Sequence, residues 1–332
     1  MPLVPMKQIL DEAIKADYGV GAFNVNNMEQ IQGIMKAAKE TASPVILQAS
    51  RGALKYTNMV YIKYLAAAAC EDNPDIPIAL HLDHGNSFET CKTAIELGFT
   101  SVMMDGSLKE DAKTPTTFDE NVEVTKKVVE HAHTFGVTVE GELGTLGGIE
   151  DGVGSGKVRL TDPDEAVKFV EITGVDALAL AIGTSHGAYK FKAEPKLAID
   201  IVSEVSERLK NFPLVMHGSS SVPKELIDVI NKYGGNMQKT MGVPIESIQQ
   251  AIKRGIRKIN VDTDGRLAMT GAIRKCLSEK LDVFDPREYF GKAREAVYEM
   301  VKGKMVAFGT TGHAGDYEPA TLEDMKKMYE KK

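Results

Sequence analysis

Eight short apolar segments rich in β-branched residues recur along the chain, and amphipathic segments separate them. The apolar segments predict strands that are buried on both faces, and the segments between them predict helices. Several of the helical patterns end at glycine, which favours a helix C-terminus at that point. The predicted strands cover residues 20–24, 44–50, 76–84, 100–105, 136–143, 175–183, 212–218 and 257–264.

Strands that alternate with helices eight times are typical of a (β/α)8 TIM barrel, an α/β fold of about 250 residues. The chain has 332 residues, so we expect a C-terminal helical extension. We see no linker or low-complexity tract, and we expect one barrel domain over residues 1–332. A doubly wound open sheet is the alternative, but no GxGxxG motif follows the first strand. Residues 231–247 are interpreted as a long loop insertion.

The composition argues against several classes of function. The net charge is −7, and lysine and arginine are scattered, which argues against a nucleic-acid-binding face or an anionic membrane surface. No apolar run has the length of a membrane span, and the first residues lack the pattern of a signal peptide. Cys70, Cys91 and Cys276 lie far apart and outside any CxxC motif. This usage fits a reducing cytoplasm better than a disulfide framework.

Polar residues stand at the ends of all the predicted strands, where barrel enzymes carry their chemistry. Three of them are histidines followed by glycine: His84 in HLDHG, His186 in GTSHG and His217 in VMHGS. Three imidazoles with an open coordination position are typical of a catalytic zinc site, so we interpret them as metal ligands. Any one of them alone would more often be structural. Strand alternation predicts that His81 points to the opposite side of the strand from His84, so we interpret it as a supporting or packing residue. The polar strand ends are Asn24, Ser50, Asp83, His84, Asp105, Glu142, His186, His217, Asn260 and Asp262.

Carboxylates near these histidines are candidates for proton transfer. A metal ion that polarises a carbonyl requires a base and an acid beside it. Asp83 adjoins His84 and is our candidate for exchanging a proton with a substrate oxygen. Glu150 lies in the glycine-rich segment 139–156, which we interpret as a loop that closes over the substrate. A flexible surface loop without function is the alternative.

A serine-rich helix start suggests an anion site. Residues 219–221 precede a predicted helix with Pro223 in its first turn. Hydroxyls and free backbone N–H groups would meet there, after strand seven, where barrels often bind phosphate. Helix capping would explain the serines equally well. Lys190, Arg266 and Arg287 are candidate cations for phosphate groups.

At these motifs the sequence resembles the class II, metal-dependent fructose-1,6-bisphosphate aldolases, over nearly its full length. The segments IPIALHLDHG and VEGELGTLGGIE are similar to the two signatures of that family, and GTSHG, HGSSSVP, NVDTD and DPREYF follow in the expected order. The resemblance implies a (β/α)8 barrel and zinc-dependent, reversible cleavage to dihydroxyacetone phosphate and glyceraldehyde 3-phosphate, in glycolysis and gluconeogenesis. The insertion at 231–247 resembles the long-loop branch, class IIB.

The resemblance also implies roles for individual residues. It makes His84, His186 and His217 zinc ligands with Glu142 near the metal. It assigns the proton of the C4 hydroxyl to Asp83 and the C3 proton to Glu150. It further implies a monovalent cation, Na⁺ or K⁺, near the phosphate, and a homodimer or homotetramer. The substrate residues that it implies are Asn24, Ser50, Asp105, Ser107, Gly187, Lys190, Gly218, Ser220, Asn260, Thr263 and, from a neighbouring subunit, Arg287.

Three alternative functions stay open at this point. One is a different metal enzyme on the same scaffold, chiefly a tagatose-1,6-bisphosphate aldolase, whose sugar differs only at C4, or a sugar-phosphate epimerase. Asp262 in NVDTD is the group that we expect to favour fructose, unless it only caps the following loop. A Schiff-base aldolase needs a desolvated lysine within the barrel, and we expect none suitably placed in the strand segments. A non-catalytic sugar-phosphate sensor would not need Asp83 and Glu150 together.

Overall fold

The computed structural model describes residues 3–148, 158–192, 194–316 and 318–331. Its sheet is a closed barrel of eight parallel strands in chain order. The strands are β1 (Val20–Asn24), β2 (Val45–Ser50), β3 (Ile78–Gly85), β4 (Ser101–Met104), β5 (Thr138–Leu143), β6 (Ala177–Leu180), β7 (Leu214–Met216) and β8 (Ile256–Val261). All eight predicted strands are present, and the prediction of a (β/α)8 barrel is confirmed.

Helices surround the barrel and extend beyond the last strand. Those of the described residues are α1 (Met6–Ala16), α2 (Met28–Glu40), α3 (Arg51–Thr57), α4 (Met59–Asp72), α5 (Phe88–Glu96), α6 (Phe118–His133), α7 (Pro163–Thr173), α8 (Ile199–Arg208), α9 (Lys224–Lys232), α10 (Ile245–Lys253), α11 (Thr263–Glu279), α12 (Pro286–Phe308) and α13 (Leu322–Tyr329). The predicted insertion comprises the end of α9, a connection over 233–244 and the start of α10. None of the helices in the described ranges has the length and apolar character to cross a membrane.

The two faces of the strands pack differently. Residues such as Leu80, Leu82 and Val102 face outward into the main core beneath the helices. Small residues such as Ala79 and Ala177 form a second cluster with the N-terminal segment at the other face. Closer to the carboxyl ends of the strands, this inner face becomes polar, although barrel interiors are ordinarily filled by branched apolar side chains. Gln48, His81, Glu140 and Lys258 are all 0% exposed there.

The long helix α12 forms most of the C-terminal extension. Its N-cap residue Asp285 accepts a hydrogen bond from the backbone N–H of Arg287, and Pro286 occupies the first turn, as helix starts favour. The helix packs against α2 and α11. Its residues Val301 and Phe308 are buried in the main core. The expected extension is therefore an integral part of the barrel's outer layer.

Candidate active site at the carboxyl end of the barrel

An irregularity in β3 accompanies the placement of Asp83 and His84 on the same side of the strand, where both line the pocket. The register between β3 and β4 shifts between Leu82 and Gly85, and His84 has a φ of 52°. That left-handed conformation is uncommon for a residue other than glycine. Strand alternation alone would put these neighbours on opposite faces. The prediction that His81 points to the opposite side of the strand assumed a regular strand and was wrong, because its Nε2 atom lies inside the barrel, 3.6 Å from Oε2 of Glu140. This contact fits the supporting or packing role that was expected for His81.

Two of the predicted metal ligands face each other. The Nε2 atom of His84 lies 3.1 Å from Nδ1 of His217. Carboxylates hold the other ring nitrogens, with His84 Nδ1 2.9 Å from Asp105 and His217 Nε2 2.7 Å from Glu140. When those nitrogens donate to the carboxylates, the facing nitrogens direct lone pairs at each other. A cation between them satisfies both, and a carboxylate on the outer nitrogen is usual for metal-bound histidine.

Glu142 supplies an unsatisfied oxygen at the same point. Its Oε2 atom is 3.7 Å from Nδ1 of His217 and is buried without a hydrogen-bond partner. The ring centroid of His186 lies 5.1 Å from that of His84 and 6.5 Å from that of His217. Nitrogen and carboxylate donors without a thiolate suit zinc and related divalent ions. The residues present therefore fit the metal that the sequence predicts.

The distances between ligand atoms separate His186 from the other histidines. Within the described ranges, two sets of potential ligand atoms lie within 4.8 Å of one another: Asp83, His84 and His217 form one set, and His84, Asp105 and Glu142 form the other. His186 belongs to neither set. It follows β6 by six residues, and its backbone N–H donates to the carbonyl of Gly147 at 2.9 Å.

The buried carboxylates favour positive charge between the rings. Burial lowers the pKa of His84, but Asp83 and Asp105 outweigh burial and raise this pKa to about 10. Burial and the charge of His84 lower the pKa of His217 well below its usual range. Burial and Asp105 raise the pKa of Glu142 well above its usual range. The excess of carboxylates would be offset by a divalent cation.

Three side-chain amides from three strands hold Asp83. Asn24 donates to its Oδ2 at 3.3 Å, Gln48 donates to the same oxygen at 3.4 Å, and Asn260 donates to Oδ1 at 3.2 Å. Gln48 also donates to Oδ1 of Asn24 at 2.5 Å. Amide N–H groups only donate, so these contacts require both oxygens of Asp83 to be acceptors. The carboxylate is thereby oriented to accept a proton. Gln48 was not among the predicted residues.

β8 buries a lysine inside the barrel, but this lysine does not line the pocket, so the expectation that none is suitably placed for a Schiff base is not contradicted. Lys258 is 0% exposed, with Nζ 3.0 Å from Oε2 of Glu140 and 2.7 Å from Oδ1 of Asn260. A lysine in a strand is normally exposed, and burial becomes tolerable here because a carboxylate neutralises the charge. Lys258 is not among the residues that line the pocket, whereas Asn260, two residues further on, does line it. This arrangement holds the ammonium group below the pocket.

The pocket at the barrel mouth collects many of the predicted residues. The predicted residues that line it are Asn24, Ser50, Asp83, His84, His186, Gly218, Ser220, Asn260 and Asp262. Arg51, which was not predicted, also lines it and donates from Nε to the carbonyl oxygen of His84 at 3.1 Å. Strand-end position could have suggested Arg51, because it directly follows Ser50.

The predicted anion loop differs from expectation in its backbone. The N–H groups of Ser221 and Val222, expected to be free, donate to the carboxylate of Asp264 at 2.9 and 2.8 Å. The Ser220 hydroxyl accepts from the N–H of Asp262 at 3.2 Å. Lys190 donates to the carbonyl oxygens of Ser185 and Gly218. The N–H groups of Ser221 and Val222 are therefore taken up by Asp264, and residues 218–220 are the part of the loop that lines the pocket.

The remaining predicted residues lie around this pocket or away from it. Ser107 donates to Oδ1 of Asp105 at 2.7 Å. Arg266 binds both carboxylate oxygens of Asp262, at 2.8 and 2.5 Å. Gly187, with a φ of 78°, directly follows His186, and Thr263 is buried at the start of α11. The side chain of Arg287 is 89% exposed and pairs with Asp285. Glu150 lies outside the described residues.

The fold and the site define a class of protein, the metal-dependent (β/α)8-barrel enzymes. Residues 4–313 match the family model described as fructose-bisphosphate aldolase class-II. The chain belongs to the class-II fructose-bisphosphate aldolase family.

Relatives named fructose-bisphosphate aldolase match almost the whole chain. One from Giardia intestinalis is 61% identical over 331 residues, which cover 99% of this chain and 100% of the relative. One from Pseudomonas aeruginosa is 52% identical over 344 residues, covering 99% of this chain and 97% of the relative. A solved structure, the YdjI aldolase from Escherichia coli K12, has a TM-score of 0.75 and 29% identity, covering 94% of this chain and 100% of that one.

The contact between Glu140 and His217 leads to a prediction about metal affinity. Glu140→Gln should weaken Zn²⁺ binding by about 10- to 100-fold, because the carboxylate that orients His217 loses its charge. Competition with a chromophoric chelator measures the affinity. Glu295→Gln, in an exposed ion pair with Lys36, is the matched control and should bind like the wild type. An unchanged affinity in Glu140→Gln would show that Glu140 does not support a metal ligand.

Proposed function

We propose that this chain catalyses the reversible aldol cleavage of fructose 1,6-bisphosphate to dihydroxyacetone phosphate and glyceraldehyde 3-phosphate, in glycolysis and gluconeogenesis. The observation that carries the proposal is the pair of facing imidazoles of His84 and His217 beside the amide-held carboxylate of Asp83. Metal-dependent aldol cleavage uses a cation at the C2 carbonyl and a base at the C4 hydroxyl, which is β to that carbonyl. Membership of the class-II family supports this assignment.

Zinc is the proposed metal, with His84, His186 and His217 as its ligands and Glu142 close to it. When bound, zinc supplies Lewis-acid polarisation of the substrate carbonyl. The facing nitrogens of His84 and His217 support two of these ligands. The proximity of the His186 ring to that of His84 and its position in the pocket lining support the third ligand.

The proposed proton transfers use two carboxylates. Asp83 accepts the proton of the C4 hydroxyl while the C3–C4 bond breaks, which leaves an aldehyde on the departing triose. Glu150 returns a proton to C3 of the remaining triose. Three amide donors hold Asp83 as an acceptor, which supports its role as the base. The role of Glu150 rests on the family resemblance.

The proposed phosphate and triose contacts surround the loop after β7. They are Gly187, Lys190, Gly218, Ser220, Asn260 and Thr263, with Asn24, Ser50, Asp105 and Ser107 around the same pocket. The carbonyl oxygens of Ser185 and Gly218 converge on one ammonium group. The proposed Na⁺ or K⁺ ion near the phosphate rests on the family resemblance, and these two carbonyl oxygens would be available to it once Lys190 turns toward the phosphate.

The second phosphate and the assembly form a linked proposal. The side chain of Arg287 is 89% exposed. In a homodimer or homotetramer it would bind the second phosphate of the substrate held in a neighbouring subunit. Arg266 is the alternative, and it lies beside the pocket in contact with Asp262. We propose that residues 1–332 form one domain. The three cysteines are buried and unpaired, which supports a reducing, cytoplasmic location.

Removal of the metal tests the proposed function. The purified protein should cleave fructose 1,6-bisphosphate, should lose this activity on chelation, and should regain it with Zn²⁺ or Co²⁺. A coupled assay measures the rate of cleavage of fructose bisphosphate and of tagatose bisphosphate. Borohydride added with the substrate should leave the enzyme active, because Lys258 is held by Glu140 and Asn260. Full activity of metal-free protein would contradict the metal mechanism, and trapping of Lys258 would favour a Schiff-base aldolase.

The two carboxylates should differ in a proton-exchange experiment. Asp83→Ala should lower cleavage by about 10²- to 10⁴-fold, the contribution typical of a general base, but should keep exchange at C3 of dihydroxyacetone phosphate. Glu150→Ala should lose both. Loss of ²H from labelled dihydroxyacetone phosphate, followed by NMR, measures exchange. Equal loss of exchange in both variants would mean that these roles are misassigned.

Asp262 gives a prediction about sugar preference. Both of its oxygens contact Arg266, so reading the C4 hydroxyl requires this carboxylate to share its hydrogen bonds with the substrate. An unsatisfied buried group costs about 1–3 kcal/mol, which corresponds to roughly 5- to 150-fold in rate. We expect a higher kcat/KM for fructose bisphosphate than for tagatose bisphosphate. Asp262→Ala should reduce the ratio of the two kcat/KM values by a factor within that range. If Asp262→Ala lowers kcat/KM for both sugars by the same factor, Asp262 has a general structural role. Tagatose-bisphosphate aldolase would then remain the alternative function.

A further inference from the structure

The loop after β7 contains a strained residue beside the pocket. Val222 has a φ of 47°, in the left-handed region that β-branched side chains rarely adopt. Its side chain is 3% exposed and packs with Ile227, Ile230 and Leu267. A strained backbone persists only where its surroundings hold it. The neighbours that hold Val222 therefore matter for the shape of the loop.

A buried ion pair from two helices holds this backbone. The carboxylate of Asp264, in α11, is 0% exposed and accepts the N–H groups of Ser221 and Val222. The ammonium group of Lys304, in α12, lies 2.7 Å from Asp264 and donates to the Ser221 hydroxyl at 2.7 Å. The Lys304 side chain is only 6% exposed. Two consecutive backbone groups and one hydroxyl are thus bound by one acid–base pair.

Ser220, the residue that precedes this pair of backbone groups, lines the pocket. Its hydroxyl accepts from the N–H of Asp262, and its carbonyl oxygen accepts from the N–H of Val243 at 3.1 Å. Asp264 and Lys304 do not line the pocket. They contact the loop on the side away from the pocket. Asp264 binds the N–H groups of Ser221 and Val222, and these contacts fix the direction of the chain after Ser220.

We propose that Asp264 and Lys304 are positioning residues, which hold the loop at 218–222 in the conformation that binds a phosphate group of the substrate. This inference rests on the proposed function for the identity of the substrate, but not for the shape of the loop. Removal of Lys304 leaves the Asp264 carboxylate buried without its counter-charge, which favours a rearrangement of the loop toward solvent.

Substitution of Lys304 and of a neighbouring lysine tests the proposal. Lys304→Met should raise KM for fructose 1,6-bisphosphate and Kd for inorganic phosphate about tenfold, equal to about 1.4 kcal/mol, with a smaller change in kcat. Lys302→Met is the matched control, because Lys302 lies in the same helix but pairs with Glu40 of α2 at the surface. Enzyme kinetics and titration calorimetry with inorganic phosphate measure both quantities.

A double variant protects the test against misfolding. Asp264→Asn combined with Lys304→Met removes both charges, and it should show no larger loss of phosphate affinity than Lys304→Met alone, because the two groups act as one unit. A folded Lys304→Met protein with wild-type KM and phosphate Kd would overturn the proposal, as would an equal change in Lys302→Met. If Lys304→Met weakens phosphate binding as expected but the wild-type chain cleaves no sugar bisphosphate, the proposed function alone is overturned.

Discussion

The site depends on one buried carboxylate, that of Glu140. It accepts from His217 through one oxygen, and its other oxygen lies near both Lys258 and His81. All four side chains are 0% exposed. A carboxylate in this position would be costly alone, and Lys258 supplies its counter-charge. The pair fixes which nitrogen of His217 faces His84, and with it the direction from which a cation can be bound.

Closure of the barrel turns these separate strands into one site. Asn24, Asp83, Glu142 and Asn260 come from four strands, yet they meet at one end because every strand is parallel. A regular strand would direct the side chains of Asp83 and His84 to opposite faces. The backbone departs from regular strand geometry there, and His84 adopts a left-handed conformation. Strain of this kind collects at functional sites and is held by the surrounding structure. In this barrel, the contacts of His84 with Asp105 and Arg51 hold it.

The sequence predicts the barrel well because its strands are buried on both faces and read as continuous apolar runs. It also predicts most residues that line the pocket, since strand ends meet at one face. The polar inner layer was harder to predict. Gln48 and Lys258 lie in the strand interiors, where a single sequence does not distinguish a paired buried group from an exposed one. The conformation of His84 is a tertiary effect, because the register shift that accompanies it depends on the pairing of β3 with β4.

The C-terminal extension contacts the loop beside the pocket through Lys304. A barrel needs no helix beyond α11, and α12 could have served only to cover α2 and α11. Instead, Lys304 projects from α12 into a buried contact with Asp264, whose carboxylate binds the backbone next to Ser220. Asp264 is two residues from Asp262, so the start of α11 faces the pocket with one carboxylate and the loop with the other. The ion pair of Asp264 and Lys304 therefore couples the packing of α12 to the conformation of the loop after β7.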